Sequence, residues 1–176
     1  MKNVLETIMR YKDEFFQFAC ADTEKLKFRG EVADACKKNY CGMYGKSWTC
    51  PPGVGDYRDL EIEIKKYPRF FVFTTKHDIE DSFDIDGMAD GKAKHTEVEN
   101  KIRKALKGTD YRALSAGGCN RCEKCTYPSA PCRFPEETIP SIEACGISVV
   151  ELAADLNINY VNGQNTVTYF SIILFR

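Results

Sequence analysis

The stretch Arg69-Phe-Phe-Val-Phe-Thr-Thr75 decides the fold. Its unbroken apolar run, aromatic and β-branched, suits a pleated strand. Pro68 stands directly before it and ends whatever helix precedes. Both alternating sets of side chains are apolar, which predicts a strand covered on both faces and central in a sheet. A second run, Thr166–Phe175 (TVTYFSIILF), closes the chain as another strand. A third, Tyr111–Ala116, is short and leads straight into Gly117-Gly118-Cys119.

Working outward, Arg58–Lys66 reads as a helix with Leu60, Ile62 and Ile64 only partly periodic. Met88–Leu106 keeps helical period through His95, Val98, Ile102 and Leu106, and Gly108 supplies a stop. His77–Asp86 is acidic and reads as a loop. Ser148–Leu156 begins with a Ser148 cap and Glu151 three residues later, the spacing of a capping box. Ser141 caps a short helical turn near Glu143. At the N-terminus, Val4, Ile8, Tyr11, Phe15 and Phe18 recur at steps of three or four and predict an amphipathic helix over Asn3–Ala21. Leu26–Phe28 follows as a short strand. The order of elements predicts an α+β or α/β sandwich, a small central sheet with flanking helices and two cysteine-rich loops. No linker or repeat divides residues 1–176, so one domain is expected.

Composition narrows the function classes. The 176 residues are 43% apolar and 29% charged, which excludes disorder and coiled coil as the main description. A chain of this size buries roughly 70% of its unfolded surface, so a core forms without staples. The net charge of -1 gives no electrostatic footprint for nucleic acid or an anionic membrane. No apolar run reaches a membrane span, and MKNVLETIMRYKDEFF lacks the form of a secretory signal. A cytoplasmic location is the expectation, and there thiols stay reduced. Nine cysteines against two histidines then point to metal or redox chemistry.

Seven of the nine fall into two groups. Cys36, Cys41 and Cys50 have the spacing C-x4-C-x8-C, followed by Pro51-Pro52. Cys119, Cys122, Cys125 and Cys132 have the spacing C-x2-C-x2-C-x6-C. Two residues between cysteines let a turning backbone aim successive sulfurs at one centre. Bacterial ferredoxins place four cysteines as C-x2-C-x2-C-x3-C-P, and the six-residue gap here departs from that. Soft thiolates select iron–sulfur clusters, zinc or cuprous copper. Zinc sites commonly pair C-x2-C with a second pair or with histidines, and three crowded cysteines are tighter than that requires. The expected cofactor is an iron–sulfur cluster, 4Fe-4S, one or two per chain, with zinc as the alternative. Gly117 and Gly118 allow backbone N–H groups to approach sulfur. Arg121, Lys124 and Arg133 either offset thiolate charge or are ordinary loop charges. Trp48 and Tyr44 either shield a cluster or serve as core anchors.

Seven cysteines do not complete two four-thiolate sites. Cys145 or Cys20 completes the first group, another ligand does, or one iron stays open to substrate. Cys145, following closely on Cys132, is the better placed of the two, although a buried thiol in a helical turn reads equally as structure. Cys20 is most simply a structural thiol.

The strings Cys36…Cys41-Gly-Met-Tyr-Gly-Lys-Ser-Trp-Thr-Cys-Pro-Pro, Gly-Gly-Cys119-Asn-Arg-Cys-Glu-Lys-Cys…Pro-Cys132-Arg-Phe-Pro-Glu and Pro140-Ser-Ile-Glu-Ala-Cys-Gly-Ile resemble a family of predicted metal-binding proteins, domain of unknown function 2284. The resemblance runs from about residue 30 to the C-terminus. It implies a cysteine-bound metal centre, iron–sulfur in the first place, and no known reaction. By motif match it carries over Cys36, Cys41, Cys50, Cys119, Cys122, Cys125 and Cys132. Cys145 stands where relatives are expected to have an aromatic residue, which counts against it as a ligand.

Other signals fail. Gly45-Lys46-Ser47 lacks the earlier glycine of a phosphate loop, because that position is Tyr40. Gly53-Val54-Gly55 lacks the preceding strand of a dinucleotide site. The C-x3-C-x2-C string of radical S-adenosylmethionine enzymes does not occur. A thioredoxin-like pair needs an isolated C-x2-C. His95 sits on the apolar face of its helix and reads as a satisfied core residue; His77-Asp78 reads as loop charge. The expectation is therefore an iron–sulfur protein that transfers electrons or senses redox state through a redox partner protein. The alternatives are an enzyme whose open iron acts as a Lewis acid and a zinc-stabilised interaction module. Neither reaction nor oligomeric state is legible.

Overall fold

In the computed structural model, which describes residues 3–119 and 121–176, four strands form one sheet. They are β1 (Gln17–Asp22), β2 (Arg69–Asp78), β3 (Tyr111–Ser115) and β4 (Thr166–Phe175), in the order β1-β2-β4-β3. Met1 and Lys2 of the expected domain, and Asn120 of the second cysteine string, lie outside the described residues. Every neighbouring pair is antiparallel, which resolves the fold class to α+β. The helices are α1 (Val4–Met9), α2 (Gly30–Ala35), α3 (Tyr57–Ile64), α4 (Ile85–Ala105) and α5 (Val149–Asp155).

The two apolar runs are indeed the internal strands, and they pair with each other over Arg69↔Phe175 to Asp78↔Thr166. One face carries Phe70, Val72, Ile172 and Leu174 under α3 and α5. The other carries Phe71, Phe73, Ile173 and Phe175 under α1 and α4. Each such buried side chain contributes about 1.5–3 kcal/mol of hydrophobic stabilisation.

The N-terminal helix expected over residues 3–21 is corrected. Helix α1 ends at Met9, a 3-10 turn spans Lys12–Glu14, and Gln17–Asp22 is strand β1. The steps through Tyr11, Phe15 and Phe18 satisfied a helical period, yet these rings serve the sheet. Phe15 stacks on Phe73 at 4.7 Å and Phe18 on Phe71 at 5.6 Å. Pairing along β2 from Gln17↔Thr74 to Asp22↔Arg69 outweighs local helix propensity. The strand expected over Leu26–Phe28 reduces to one bridge, Phe28↔Ile147. Helix α4 begins at Ile85, three residues earlier than its period suggests, because the Asp84 carboxylate caps it at Gly87 N.

A buried polar chain fastens α4 to the sheet. His95 is fully buried, as its apolar helix face suggested. Ser171 donates its hydroxyl hydrogen to the Glu99 carboxylate. The Ser171 oxygen therefore accepts from His95 Nε2–H at 2.7 Å, which leaves Nδ1 to accept from the Thr75 hydroxyl at 2.8 Å. Thr75 in turn accepts from His77 Nε2–H at 2.9 Å. The four donors His77, Thr75, His95 and Ser171 point their hydrogens the same way, toward the Glu99 carboxylate.

Burial, with Lys92 and His77 adding to it, pushes the His95 pKa down to about 3. An unfolded histidine takes up its proton near pH 6.5, whereas the folded one stays neutral. The stability contributed by neutral His95 is thus present above pH 6.5 and is lost as pH falls toward 3. Denaturant unfolding should show a loss of about 2 kcal/mol from this group between pH 7 and pH 5. His95→Gln should flatten the profile in that window, and an unchanged slope would contradict the assignment.

Candidate metal centre

Helix α2 runs into a 3-10 turn over Cys36–Lys38 and ends at left-handed Asn39 (φ 55°), whose side chain accepts from Tyr44 N. The chain then turns back so that Gly45 N donates to the Pro51 carbonyl. This fold-back brings Cys36, Cys41 and Cys50 to the wall of one largely apolar cavity of about 550 Å³. Glu143 lines the same cavity and accepts from the Ser141 hydroxyl at 2.7 Å. Burial raises the pKa of Cys36, and Glu143 and Cys41 add to it. Burial pushes Cys50 up to about 11; the Thr49 hydroxyl lowers it, and Cys41, Cys36 and Glu143 raise it further.

Cys119, Cys122, Cys125 and Cys132 wall a second cavity together with Trp48 and Phe134. Its free space is about 20 Å³, with the long side chains of Arg121 and Arg133 among the walls. The backbone aims N–H groups at the sulfurs. Arg121 N donates to Cys119 Sγ and Phe134 N to Cys132 Sγ, each at 3.4 Å. Burial pulls the Cys125 pKa up, but the N–H groups of Tyr127, Trp48 and Thr126 and the Ser47 hydroxyl together outweigh it and leave the thiol below its usual value. Cys119 is raised, by burial first; its bond from Arg121 lowers it and the charges of Cys122, Cys125 and Cys132 raise it. Thiolates crowded in this way repel one another, and a bound metal cation removes that penalty.

The two loops are stitched together by Ser47 and Thr49, both buried. Their hydroxyls lie 2.9 Å apart, and Thr49 Oγ1 accepts from Cys119 N at 3.0 Å. The Thr49 carbonyl accepts from Ser141 N. Gly118 passes so close to the first group that a Cβ there would sit 2.7 Å from Met43 Cε and 3.5 Å from Cys50 Sγ. The groups thus lie back to back, with Gly118 on the wall of the first cavity and Cys119 on that of the second.

The remaining residues separate. Cys145 is fully buried in the core beside Ile142 and Ile147, outside both cysteine-lined cavities, and burial pushes its pKa up to about 12. Cys20 lies on β1, where its sulfur accepts from Arg69 Nη2 at 3.2 Å. Trp48 is adjacent to Cys50 in sequence yet walls the other group's cavity and donates to the Ala130 carbonyl. Tyr44 lines the first cavity. Arg121 is held by Glu137 at 2.6 Å and lies over the Phe134 ring, Arg133 donates to the Lys124 carbonyl, and Lys124 is exposed. Sequence reasoning missed Ser47, Thr49 and Glu143 as parts of the site. Their signal was present in the quoted strings, where polar side chains flank the first-group and Cys145 cysteines. Among the described residues, no three His, Cys, Asp or Glu side chains come close enough to hold a single metal ion. Among them also, no helix is long and apolar enough to cross a membrane.

The family model described as "Predicted metal-binding protein (DUF2284)" matches residues 19–175. The chain belongs to that family. The match starts within β1, about ten residues before the stretch that carries the resemblance, and takes in β2, β3 and β4 entire. No curated protein and no solved structure matches the chain.

Gly53 is fixed by this packing. A Cβ there would meet the Ser47 carbonyl oxygen at 2.6 Å and the Tyr127 ring at 2.8 Å. Gly53→Ala should lower stability by about 1–3 kcal/mol and reduce metal content, because it pushes one cysteine loop off the other. Wild-type stability by denaturant titration would contradict the stitched arrangement.

Proposed function

We propose that this member of the metal-binding family holds iron–sulfur clusters in its two cysteine loops and exchanges electrons with a redox partner protein in the cytoplasm. The observation that carries the reading is the ring of Cys119, Cys122, Cys125 and Cys132 around one cavity, with backbone N–H groups directed at their sulfurs. Three cysteines at two-residue steps, a fourth close by and N–H groups aimed at sulfur suit an iron–sulfur group better than a zinc site built from two separate cysteine pairs.

When bound, such a cluster supplies one-electron transfer at a potential set by hydrogen bonds to sulfur and by exposure. The chain's own part follows from its residues. Cys119, Cys122, Cys125 and Cys132 hold the second group, and Cys36, Cys41 and Cys50 the first. Glu143 is the one carboxylate acting on both Cys36 and Cys50, and is our candidate for the missing donor in place of Cys145 or Cys20. Trp48 and Phe134 exclude water. Arg121, tied to Glu137, and Arg133, tied to the Lys124 carbonyl, line the same cavity and would offset thiolate charge. Closeness of the two loops across Gly118 favours electron passage over a purely structural metal.

Cys122→Ser should strip iron and sulfide from the second group and remove that group's share, about half, of the visible absorbance. Cys145→Ser should keep both. Full iron retention in Cys122→Ser would sink the second group as a site, and loss in Cys145→Ser would restore that thiol as a ligand.

A further inference from the structure

A cavity of about 540 Å³ lies between α4 and the end of β3, within the size range of small-molecule sites. Its walls include Lys92, Glu97, Glu99 and Arg103 of α4, Ser115 of β3, Gly118 and Cys119, and the Arg121–Glu137 ion pair. Lys92 is half-buried. Its ammonium donates to Ser115 Oγ at 2.9 Å and lies 5.7 Å from the Tyr169 ring centre. Burial holds its pKa below that of an ordinary lysine. Arg103 donates to the backbone carbonyl of Glu137 at 3.0 Å. Among the described residues neither cation forms a salt bridge, whereas Lys94, Lys101 and Arg121 nearby all do.

Glu99 is 3% exposed, and the contacts fixed for it are the Ser171 hydroxyl and His95 Nε2 at 3.6 Å. His95 is neutral, so the cation that acts on Glu99 is Lys92, which attracts it without closing a salt bridge. A half-buried ammonium and a buried carboxylate on one cavity, attracting each other but not in salt-bridge contact, are held at a cost in desolvation. Charges held at such a cost in a cleft mark binding sites.

We propose that this cavity binds a small organic oxyanion. Lys92 and Arg103 hold its carboxylate or phosphate group, the first as a point charge and the second as a planar fork. Glu99 faces the rest of the ligand and accepts a hydroxyl or amine hydrogen from it. The site adjoins the second cysteine group, since Cys119 and Arg121 line both cavities, but its ligand-holding charges come from α4, so it holds whichever metal the thiolates bind.

The test is calorimetric titration of the metal-loaded chain with malate and, separately, with inorganic phosphate. One or both should saturate with one site per chain; malate alone assigns a carboxylate ligand and phosphate alone a phosphate ligand. Lys92→Gln and Arg103→Gln should each raise Kd roughly tenfold or more. Lys104→Gln, an exposed lysine on the same helix, should leave Kd within about twofold. Arg103 is less enclosed than Lys92, so its variant decides the matter if Lys92→Gln fails to fold. Absence of saturation by both probes, or equal weakening in Lys104→Gln, would overturn the proposal.

Discussion

The site depends on Thr49. This buried residue has its amide, hydroxyl and carbonyl all engaged: with Ser47 Oγ, with Cys119 N and with Ser141 N. Those partners come from segments some 70 and 90 residues further along the chain. Ser141 is in turn bridged to Ser115, the last residue of β3. One residue thereby ties the first cysteine loop, the second cysteine loop and the sheet into a single unit. A fully satisfied buried network of this kind fixes one arrangement, because each lost partner leaves a buried polar group unpaired. It explains why two loops with almost no regular structure hold their cysteines in defined places.

Around that joint the molecule divides its labour. The face under α3 and α5 is apolar, and Cys145 is simply part of it. The face under α4 mixes apolar packing with the chain from His77 to Glu99. The Gly117–Cys119 segment runs between the cysteine-lined cavities and the one beneath α4. In the proposed function, electrons enter and leave on one side of this segment. In the proposed ligand site, a small molecule sits on the other, at the end of a hydrogen-bonded chain whose hydrogens already point toward it. The two proposals meet at Cys119, which both sides share.

How much could be read from the sequence follows from which signals are local. RFFVFTT declared a central strand because both its faces are apolar, TVTYFSIILF declared a strand, and the structure pairs the two directly. The cysteine spacing declared its two groups, and each group gathers on one cavity. The Asn3–Ala21 helix failed because aromatic residues at helical steps also suit an edge strand, and only the facing β2 decides between them. The choice between α+β and α/β rested on strand direction, which no local pattern encodes. Trp48 read as either a cluster shield or a core anchor; it lies two residues before Cys50, yet the chain turns it toward the other group. Glu143, Lys92 and Glu99 look like ordinary surface charges in sequence. Their burial and their neighbours are products of tertiary contact.

The central claim is that the cysteine loops hold iron and sulfide. The most direct measurement is iron, acid-labile sulfide and zinc per chain in protein purified without oxygen, together with its visible spectrum. The account predicts a brown protein with iron and sulfide in near-equal amounts, the iron count separating one cube from two. Colourless protein carrying one or two zinc ions would contradict it and leave a zinc-stabilised module in its place.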